Sequence, residues 1–380
     1  MAEPFKNMLN PDLVKGMAFH FKRHYPSFDE AGFIADITQQ LETLELKARS
    51  ELITQMMYRY LPGDFHQSAS ILKKSLGTPL GENLSEGIVD QHGIAGWAVM
   101  PMCDYVALYG QQHFESSMTL FKEMTKRSSS EFGIRYFLRE MPDETIAVMQ
   151  QWTQHKNPHV RRLASEGCRP RLPWGMRLKS FIDNPSPVLQ LLEKLKNDKS
   201  GYVRRSVANN LNDIAKDHPE KVVDLSKRWL GKATPEQHKL LKHACRTLIK
   251  QGHKETLKLF GYTPAQLSNA KLTLTNNEIQ LGESLNFTLT LQSSTPHTQA
   301  LMVDYVIHHQ KANGSTTPKV FKWRQLKLSA ESTATLQKKH AIKIITTRNY
   351  YPGLHKLEII VNGDSVATET FTLSIRQPNK

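Results

Sequence analysis

Two stretches of the sequence place a carboxylate shortly after a doubly basic helix start. Residues 155–174 read HKNPHVRRLASEGCRPRLPW and residues 198–217 read DKSGYVRRSVANNLNDIAKD, so each has a charged turn, a V-R-R triplet and a helix-like run. The acids within or beside such helices are Glu131, Glu166 and Asp213. An acid kept in a basic surface either pairs with a neighbouring arginine or faces a cationic ligand. Both interpretations are open for these three carboxylates.

A tryptophan follows one of these acids in the segment R-P-R-L-P-W-G, where helix periodicity does not require an aromatic residue. Trp174 either fills an insertion between two helices or contributes to a binding surface. An indole face near two carboxylates forms a site for a cation, because the ring quadrupole and the negative charges both favour positive charge. Within DNA, the cations of this kind are alkylated bases such as 3-methyladenine.

Positive charge is concentrated in the same part of the chain. The protein has 380 residues and a formal net charge of +14, and residues 155–205 contain twelve Lys or Arg against four Asp or Glu. Such a cluster matches a protein that follows a phosphate backbone, whereas a generally basic surface would serve only solubility. The arginines of the V-R-R triplets are either phosphate contacts or partners of the acids. The candidate DNA-binding residues are Lys156, Arg161, Arg162, Arg169, Arg171, Lys199, Arg204 and Arg205.

Helical periodicity extends over about the first 260 residues. Apolar residues recur at intervals of three and four over 28–61, and further helical segments follow, among them 101–126. Helix pairs that repeat with variable insertions are typical of a HEAT-like α-solenoid, whose concave face is the usual binding face. We predict this all-α domain over residues 1–262. The repeated second helices start at Ile134-Arg135, Val160-Arg161-Arg162, Val203-Arg204-Arg205 and Leu241-Lys242-His243.

The sequence pattern changes after Tyr262, where apolar and polar residues begin to alternate with a period of two. About seven short strands and the hairpin signal Asn362-Gly363 predict an all-β immunoglobulin-like sandwich over residues 263–380. The run KVFKWRQLK (319–327) on one of these strands is either a solvated face or a second contact with the same DNA.

Cysteine usage and hydropathy exclude several classes of protein. Cys103, Cys168 and Cys245 are far apart and no CxxC spacing occurs, so neither a disulfide framework nor a four-ligand zinc site is encoded. The N-terminal sequence has no apolar signal region, and no segment approaches the uninterrupted apolar length of a membrane span. We therefore expect a cytoplasmic protein that contacts no membrane and binds no metal. We also expect it to be a monomer.

Three segments resemble a known family. SSEFGIRYFL (129–138), HVRRLASEGCRPRLPWGMRL (159–178) and YVRRSVANNLNDIAKDHP (202–219) are similar to the AlkC family of bacterial DNA alkylation-repair glycosylases. The opening MAEPFKNMLN and the segment LELKARSELI are similar too, so the resemblance covers essentially the whole helical half. Some AlkC-like proteins also carry a C-terminal immunoglobulin-like domain. The sequence departs from the family pattern at Ser128, Gly133, Tyr136 and Gly175, none of which replaces a charged site residue.

The resemblance implies an enzyme that hydrolyses the N-glycosidic bond of cationic bases in double-stranded DNA, notably 3-methyladenine and 3-methylcytosine, without full base flipping. The family's site residues match Glu131 in S-S-E-F, Glu166 in S-E-G, Trp174 in L-P-W and Asp213 in L-N-D. A cationic base is already a good leaving group, so no metal or other cofactor is required. Carboxylates would stabilise the oxocarbenium ion that forms on the sugar and would activate the attacking water.

Two other functions are compatible with the sequence. A non-catalytic HEAT-repeat scaffold would bind damaged DNA and recruit repair enzymes, and its DNA binding would survive the loss of Glu166 and Asp213. A protein–protein adaptor would bind its partner through the sandwich and would depend only weakly on salt, whereas phosphate binding weakens steeply as salt rises. Base release from methylated DNA distinguishes the enzyme from both.

Overall fold

The computed structural model of the protein describes residues 4–81, 83–346 and 348–375. Helices occupy the chain up to Leu259, and strands occupy the chain from Leu267 onward. Contacts between residues define two compact units: the chain up to Val222 with Lys232–Ala244, and Val223–Gly231 with the chain from Cys245 onward. The predicted order of a helical part and a strand-rich part is confirmed. The boundary after Tyr262 stays a prediction.

Several helices begin where the sequence supplies a cap. The side chains of Asn10, Asp29, Asp64 and Asn157 each accept a hydrogen bond from a backbone amide in the first turn of the helix that follows. In the part of the chain that the structure describes, none of the helices has the length and apolar character to cross a bilayer. The helices are α1 (Pro11–His24), α2 (Glu30–Leu41), α3 (Leu46–Tyr60), α4 (Phe65–Ser75), α5 (Val99–Tyr109), α6 (Phe114–Met124), α7 (Ile134–Glu140), α8 (Pro142–Trp152), α9 (Pro158–Glu166), α10 (Lys179–Asp183), α11 (Ser186–Leu195), α12 (Gly201–Ile214), α13 (Pro219–Leu230), α14 (Pro235–Ala244), α15 (Arg246–Lys250) and α16 (Lys254–Leu259).

The two helices that begin with V-R-R pack directly against each other. Val160 and Leu163 of α9 and Val203 and Val207 of α12 are fully buried, so both helices turn their apolar faces into the core of the first unit. The preceding helices, α8 and α11, also contact α9, and α11 contacts α12. Helix pairs therefore follow one another in this region. The HEAT-like solenoid over the whole helical part stays a prediction.

The strand-rich part forms two sheets around one shared core. One sheet has the strand order β1-β3-β6, and the other has the order β2-β8-β7-β4-β5. Both sheets bury alternate side chains in the same hydrophobic cluster, with Phe287 on β3 and Tyr305 on β4 in ring contact at 5.3 Å. The strands are β1 (Leu267–Leu274), β2 (Glu278–Gln280), β3 (Ser284–Ser293), β4 (Gln299–Gln310), β5 (Thr316–Leu328), β6 (Thr333–Ala341), β7 (Gly353–Val361) and β8 (Asp364–Ser374).

The predicted hairpin at Asn362-Gly363 is confirmed. Both residues have positive φ, 51° and 89°, which the turn between β7 and β8 requires and which Asn and Gly adopt readily. The buried Asn362 side chain also accepts from the amide of Met302 and donates to the carbonyls of Thr263 and Ala300. One side chain thus fixes the hairpin against the neighbouring strand.

The sandwich is expected to lose stability in acid because it buries neutral histidines. Burial, Arg348 and neighbouring histidines lower the pKa of His309 to about 3, and burial also lowers the pKa of His355. Among the described residues neither Nδ1 atom has a hydrogen-bond partner. Because the unfolded chain takes up these protons more readily, the free energy of unfolding should fall as pH drops from about 6.5 towards 3, by up to about 1.4 kcal/mol per pH unit from His309, and His355 should add to the fall.

Denaturant titrations of wild type and His309→Phe over this pH range check the expectation. The variant should show a shallower pH dependence, and the remaining slope should come from His355 and His340, whose pKa values are also lowered. His297→Phe, at an exposed position of the same sandwich, is the matched control and should follow wild type. An equal slope in His309→Phe and wild type would contradict the assignment.

Candidate active site

The three acids predicted from sequence lie in one chain of ion pairs. Glu131, in the turn before α7, contacts Arg162 of α9 with an Oε2–Nη1 distance of 2.5 Å. Arg162 also approaches Glu166 at the end of α9, with an Nη2–Oε1 distance of 3.5 Å. The hydroxyl of Ser129 donates to Glu131 Oε2 at 2.5 Å and accepts from Arg162 Nη1 at 2.8 Å. One arginine thereby joins two of the three acids.

The chain of ion pairs continues from α9 to α12 through a second arginine. Arg169 donates from Nη1 to Glu166 Oε1 at 2.6 Å and from Nε to Asp213 Oδ2 at 2.8 Å. Lys216 Nζ contacts the other oxygen of Asp213 at 2.9 Å, and Ser206 Oγ donates to Glu166 Oε2 at 2.6 Å. We call the alternating set Glu131, Arg162, Glu166, Arg169, Asp213 and Lys216 the acid–arginine chain.

The acid–arginine chain is formally balanced, with three carboxylates and three cations, and only its terminal member Lys216 has an exposed side chain. Glu166 is only 5% exposed and Asp213 only 2%. Burial alone would lower the pKa of Arg162 and Arg169, but the adjacent carboxylates outweigh burial and raise the pKa of both guanidinium groups. Of the two interpretations that the sequence left open, the contacts show arginine pairing for all three acids. Their catalytic roles stay a prediction.

Glu131 and Arg162 face a cavity of about 830 Å³ in the first unit. We call it the Glu131 cavity. Its walls also include Trp97, Asp104 and Tyr202. The centroid of the Tyr202 ring lies 5.3 Å from the Arg162 guanidinium. The cation–π contact holds Arg162 between an aromatic face and the two carboxylates. The cavity can therefore accept a planar group beside Glu131.

Trp174 faces a second cavity, of about 420 Å³, which we call the Trp174 cavity. Its side chain is 67% exposed and its backbone has φ of +64°, a value that residues other than glycine seldom adopt. The carboxylates that line this cavity are Glu51 and Asp104, and no direct contact joins Trp174 to the acid–arginine chain among the described residues. The two acids that share this cavity with Trp174 are ones that the sequence analysis did not single out, and the role of Trp174 beside the predicted acids stays a prediction.

Known proteins share this architecture. The fold is similar to that of the Pseudomonas fluorescens alkylpurine DNA glycosylase AlkC bound to DNA containing an abasic site analog, with a TM-score of 0.85, 36% sequence identity, and coverage of 98% of this chain and 100% of that one. The uncharacterised protein YhaZ of Bacillus subtilis (strain 168) is 38% identical over 361 residues, which cover 94% of this chain and 96% of YhaZ.

The chain belongs to the AlkC family. Residues 268–375 also match the family described as the C-terminal Ig-like domain of the uncharacterised protein YhaZ. The resemblance inferred from the helical motifs, and the Ig-like class of the C-terminal part, are thereby confirmed.

A fully buried arginine in this AlkC-family chain positions the segment that carries Trp174. Arg135 donates to the carbonyls of Gly167 and Arg169 at 2.8 Å each and to that of Met176 at 2.9 Å. Because burial removes water from its guanidinium group, the pKa of Arg135 falls to about 10. The sequence flagged Arg135 only as one of the repeated helix starts and gave it no role at the site.

Asp104 is the second residue that the sequence analysis missed. It lies on α5 and accepts a hydrogen bond from Ser50 Oγ of α3 at 2.7 Å. The available signal was a lone acid in the otherwise apolar or uncharged run VMPMCDYVALY. An acid in such a helix requires a buried partner or a ligand.

The predicted DNA-binding residues divide into two groups. Arg162 and Arg169 belong to the acid–arginine chain, while Arg161 pairs with Asp198 at 2.5 Å and Arg171 with Asp217 at 2.6 Å. Asp198 also accepts a hydrogen bond from the amide of Ser200 before α12. These contacts support the interpretation that the four arginines are partners of acids. Contact between the four arginines and DNA stays a prediction.

The other four residues lie around the starts of α9 and α12. Lys156 and Lys199 line a shallow cavity of about 460 Å³ beside Pro158 and Ser200. Arg204 donates to the Lys199 carbonyl at 3.0 Å, and Arg205 is exposed. Two helix N-termini and these lysines present positive potential to solvent. The lysines and the two helix N-termini make this cavity suitable for an anionic group.

The cysteines are buried thiols. Burial raises the pKa of Cys103 and of Cys168 to about 12, and it also raises the pKa of Cys245. None of the three forms a disulfide. Within the described ranges, His, Cys, Asp and Glu side chains form no group of three that could hold a metal ion.

Proposed function

We propose that the protein is a DNA glycosylase of base excision repair. Its proposed substrates are bases made cationic by N-alkylation, notably 3-methyladenine and 3-methylcytosine. The observation that carries the proposal is the acid–arginine chain, which joins Glu131, Glu166 and Asp213 across three segments of an AlkC-family chain. The similar solved structure is that of an alkylpurine DNA glycosylase bound to DNA with an abasic site analog.

The proposed reaction uses the carboxylates for charge stabilisation. As the bond between C1′ and the base nitrogen breaks, its electron pair neutralises the cationic base and leaves positive charge on the sugar. Glu166 and Asp213 stabilise this oxocarbenium ion, and one of the acids takes the proton of the water that adds to C1′. Arg162 and Arg169 hold the carboxylates in place through charge-assisted hydrogen bonds. Such a reaction requires no added cofactor.

The lesion is proposed to be recognised without full extrusion from the helix. Trp174 supports this proposal, because a side chain that is 67% exposed can lie against the sugar or the lesion at the protein surface. Charge, rather than the shape of a deep pocket, would then distinguish the damaged base. Neutral lesions lack that charge and should be poor substrates.

DNA binding is assigned first to Lys156, Lys199, Arg204 and Arg205, at the starts of α9 and α12. We propose that residues 1–262 form a HEAT-like solenoid, which would align these helix starts on one surface. Residues 263–380 are proposed to form the immunoglobulin-like sandwich. Lys319, Lys322, Arg324 and Lys327 are exposed on β5, which supports a second DNA contact there. A cytoplasmic location is proposed, because bacterial DNA lies in the cytoplasm. The protein is proposed to act as a monomer.

A base-release assay tests the function. Purified protein is incubated with methylated double-stranded DNA and with DNA containing hypoxanthine, a neutral lesion, and the free bases are separated and measured. We expect release of 3-methyladenine and 3-methylcytosine to be at least about 100-fold faster than release of hypoxanthine. This factor is the loss of rate that typically follows removal of one well-placed charged group. DNA binding without base release would instead support the scaffold, and fast hypoxanthine release would contradict the charge-based mechanism.

A further inference from the structure

Asp104 differs from the acids of the acid–arginine chain because no cation neutralises it. Its Oδ2 accepts from Ser50 Oγ at 2.7 Å. Among the described residues, no Lys or Arg nitrogen lies within 4.0 Å of its carboxylate. Lys47 is the cation whose field acts on it, but the Lys47 ammonium donates to the Trp174 carbonyl at 3.1 Å. The Asp104 carboxylate thus lines the Glu131 cavity and the Trp174 cavity without an ion-pair partner among the described residues.

The position of Asp104 connects the two cavities. Asp104, Met100 and Phe132 form part of the wall of both the Glu131 cavity and the Trp174 cavity. Asp104 is therefore the acid that faces Glu131 through one cavity and the Trp174 indole through the other. The acid–arginine chain does not reach Trp174 directly, so Asp104 occupies the place between them.

Aromatic rings line both cavities. Trp97 lines the Glu131 cavity and Trp174 lines the Trp174 cavity. Phe5 contacts both indoles, with ring centroids 5.9 Å from Trp97 and 6.4 Å from Trp174. Aromatic faces combined with an unmatched carboxylate favour a flat cation over a neutral ring of the same shape.

The energetic state of the Asp104 carboxyl agrees with a cation site. Burial raises its pKa, an effect that the Ser50 hydroxyl only partly offsets. Partial burial therefore disfavours the ionised form, at a cost that a cationic ligand would relieve.

We propose that Asp104, oriented by Ser50, is the residue that recognises the positive charge of an N-alkylated base, with Trp97 and Trp174 as its aromatic walls. The inference rests on the glycosylase function proposed above and adds a specificity-determining residue to it. Asp104 selects the lesion by charge, and Glu166 and Asp213 act on the sugar. Ser50 is a positioning residue, since it acts through the carboxylate.

A binding experiment tests the inference without relying on catalysis. The probes are 1-methyladenosine, which carries a positive charge at neutral pH, and adenosine, which is neutral and nearly the same shape. Binding to the full chain is measured by calorimetry, with tryptophan fluorescence as a second readout because Trp97 and Trp174 line the cavities. Wild type should bind the cation about tenfold more tightly than adenosine.

The variant Asp104→Asn keeps an oxygen that can accept from Ser50, so it removes the charge and little else. The preference for the cation should fall to within about twofold in this variant, and Ser50→Ala should reduce it in part. Asp143→Asn, at an exposed position in the first turn of α8, is the matched control and should keep the full preference. Thermal unfolding of each variant verifies that it is folded.

Two outcomes would overturn the inference: a wild-type preference near one, or a preference that Asp104→Asn retains. Base release by the same preparations separates this result from the function. Release by wild type together with an unchanged preference in Asp104→Asn would overturn the role of Asp104 and leave the glycosylase standing. No release together with a preference that depends on Asp104 would overturn the glycosylase and leave the cation site standing.

Discussion

Asp213→Asn should lower the rate constant of 3-methyladenine release by roughly a hundredfold to a thousandfold, as loss of a well-placed charged group commonly does. Asparagine keeps an oxygen that can accept from Arg169 Nε, so the variant removes the negative charge with little change of shape. Glu166→Gln should have an effect of the same order, because Glu166 shares Arg169 with Asp213. Single-turnover base release measures the rate constant, and DNA binding is measured in parallel.

Asp217→Asn is the matched control for this prediction. Asp217 lies four residues after Asp213 and also pairs with an arginine, but its partner Arg171 lies outside the acid–arginine chain. Its loss should change base release by less than about threefold, since Asp217 is assigned a structural role. Equal losses in Asp213→Asn and Asp217→Asn would mean that the effect comes from the fold and not from the chemistry.

Arg169→Met should destabilise the protein by about 3–5 kcal/mol, the range typical of breaking a buried ion pair. The guanidinium contacts Glu166 and Asp213, both of which are nearly inaccessible to water. Methionine fills much of the same space but leaves two buried carboxylates without their shared cation. The free energy of unfolding, measured by urea titration of the helical circular dichroism signal, gives the size of the effect.

Arg171→Met provides the comparison within the same loop. The Arg171–Asp217 pair retains side-chain exposures of 25% and 22%, so water screens it and the loss should be about 1 kcal/mol or less. A small loss in Arg169→Met would show that the acid–arginine chain contributes little to stability. Glu166 and Asp213 would then have to be stabilised as anions by groups other than Arg169.

Apolar periodicity predicted helices well, but it did not locate all of their ends. The runs 28–61 and 101–126 each contain two helices, because a short turn between helices that bury the same side leaves the spacing of apolar residues nearly unchanged. The turn after α5 is set by Gly110, where a Cβ would lie 2.4 Å from Ser117 Oγ. That constraint comes from a residue in the next helix and is invisible to local spacing.

The acids of the candidate site that lie close to a V-R-R triplet in the sequence could be predicted from the local sequence pattern. The repeated V-R-R starts identified Glu166 and Asp213 as unusual acids, and the sequence left open that arginines pair with them. It could not show that Arg162 reaches Glu131, which is 31 residues earlier and approaches it only through packing of the turn before α7 against α9. Asp104 was missed for the same reason, since its neighbours in space, Ser50 and Trp174, are distant in sequence.

The buried thiols have a consequence for the proposed function, because methylating chemicals create the proposed substrates. Such electrophiles react with thiolates, and a pKa of about 12 leaves Cys103 and Cys168 almost wholly protonated at neutral pH. Their enclosure also denies the reagent access. A repair enzyme built this way would keep its cysteine thiols intact under the exposure that creates its substrates.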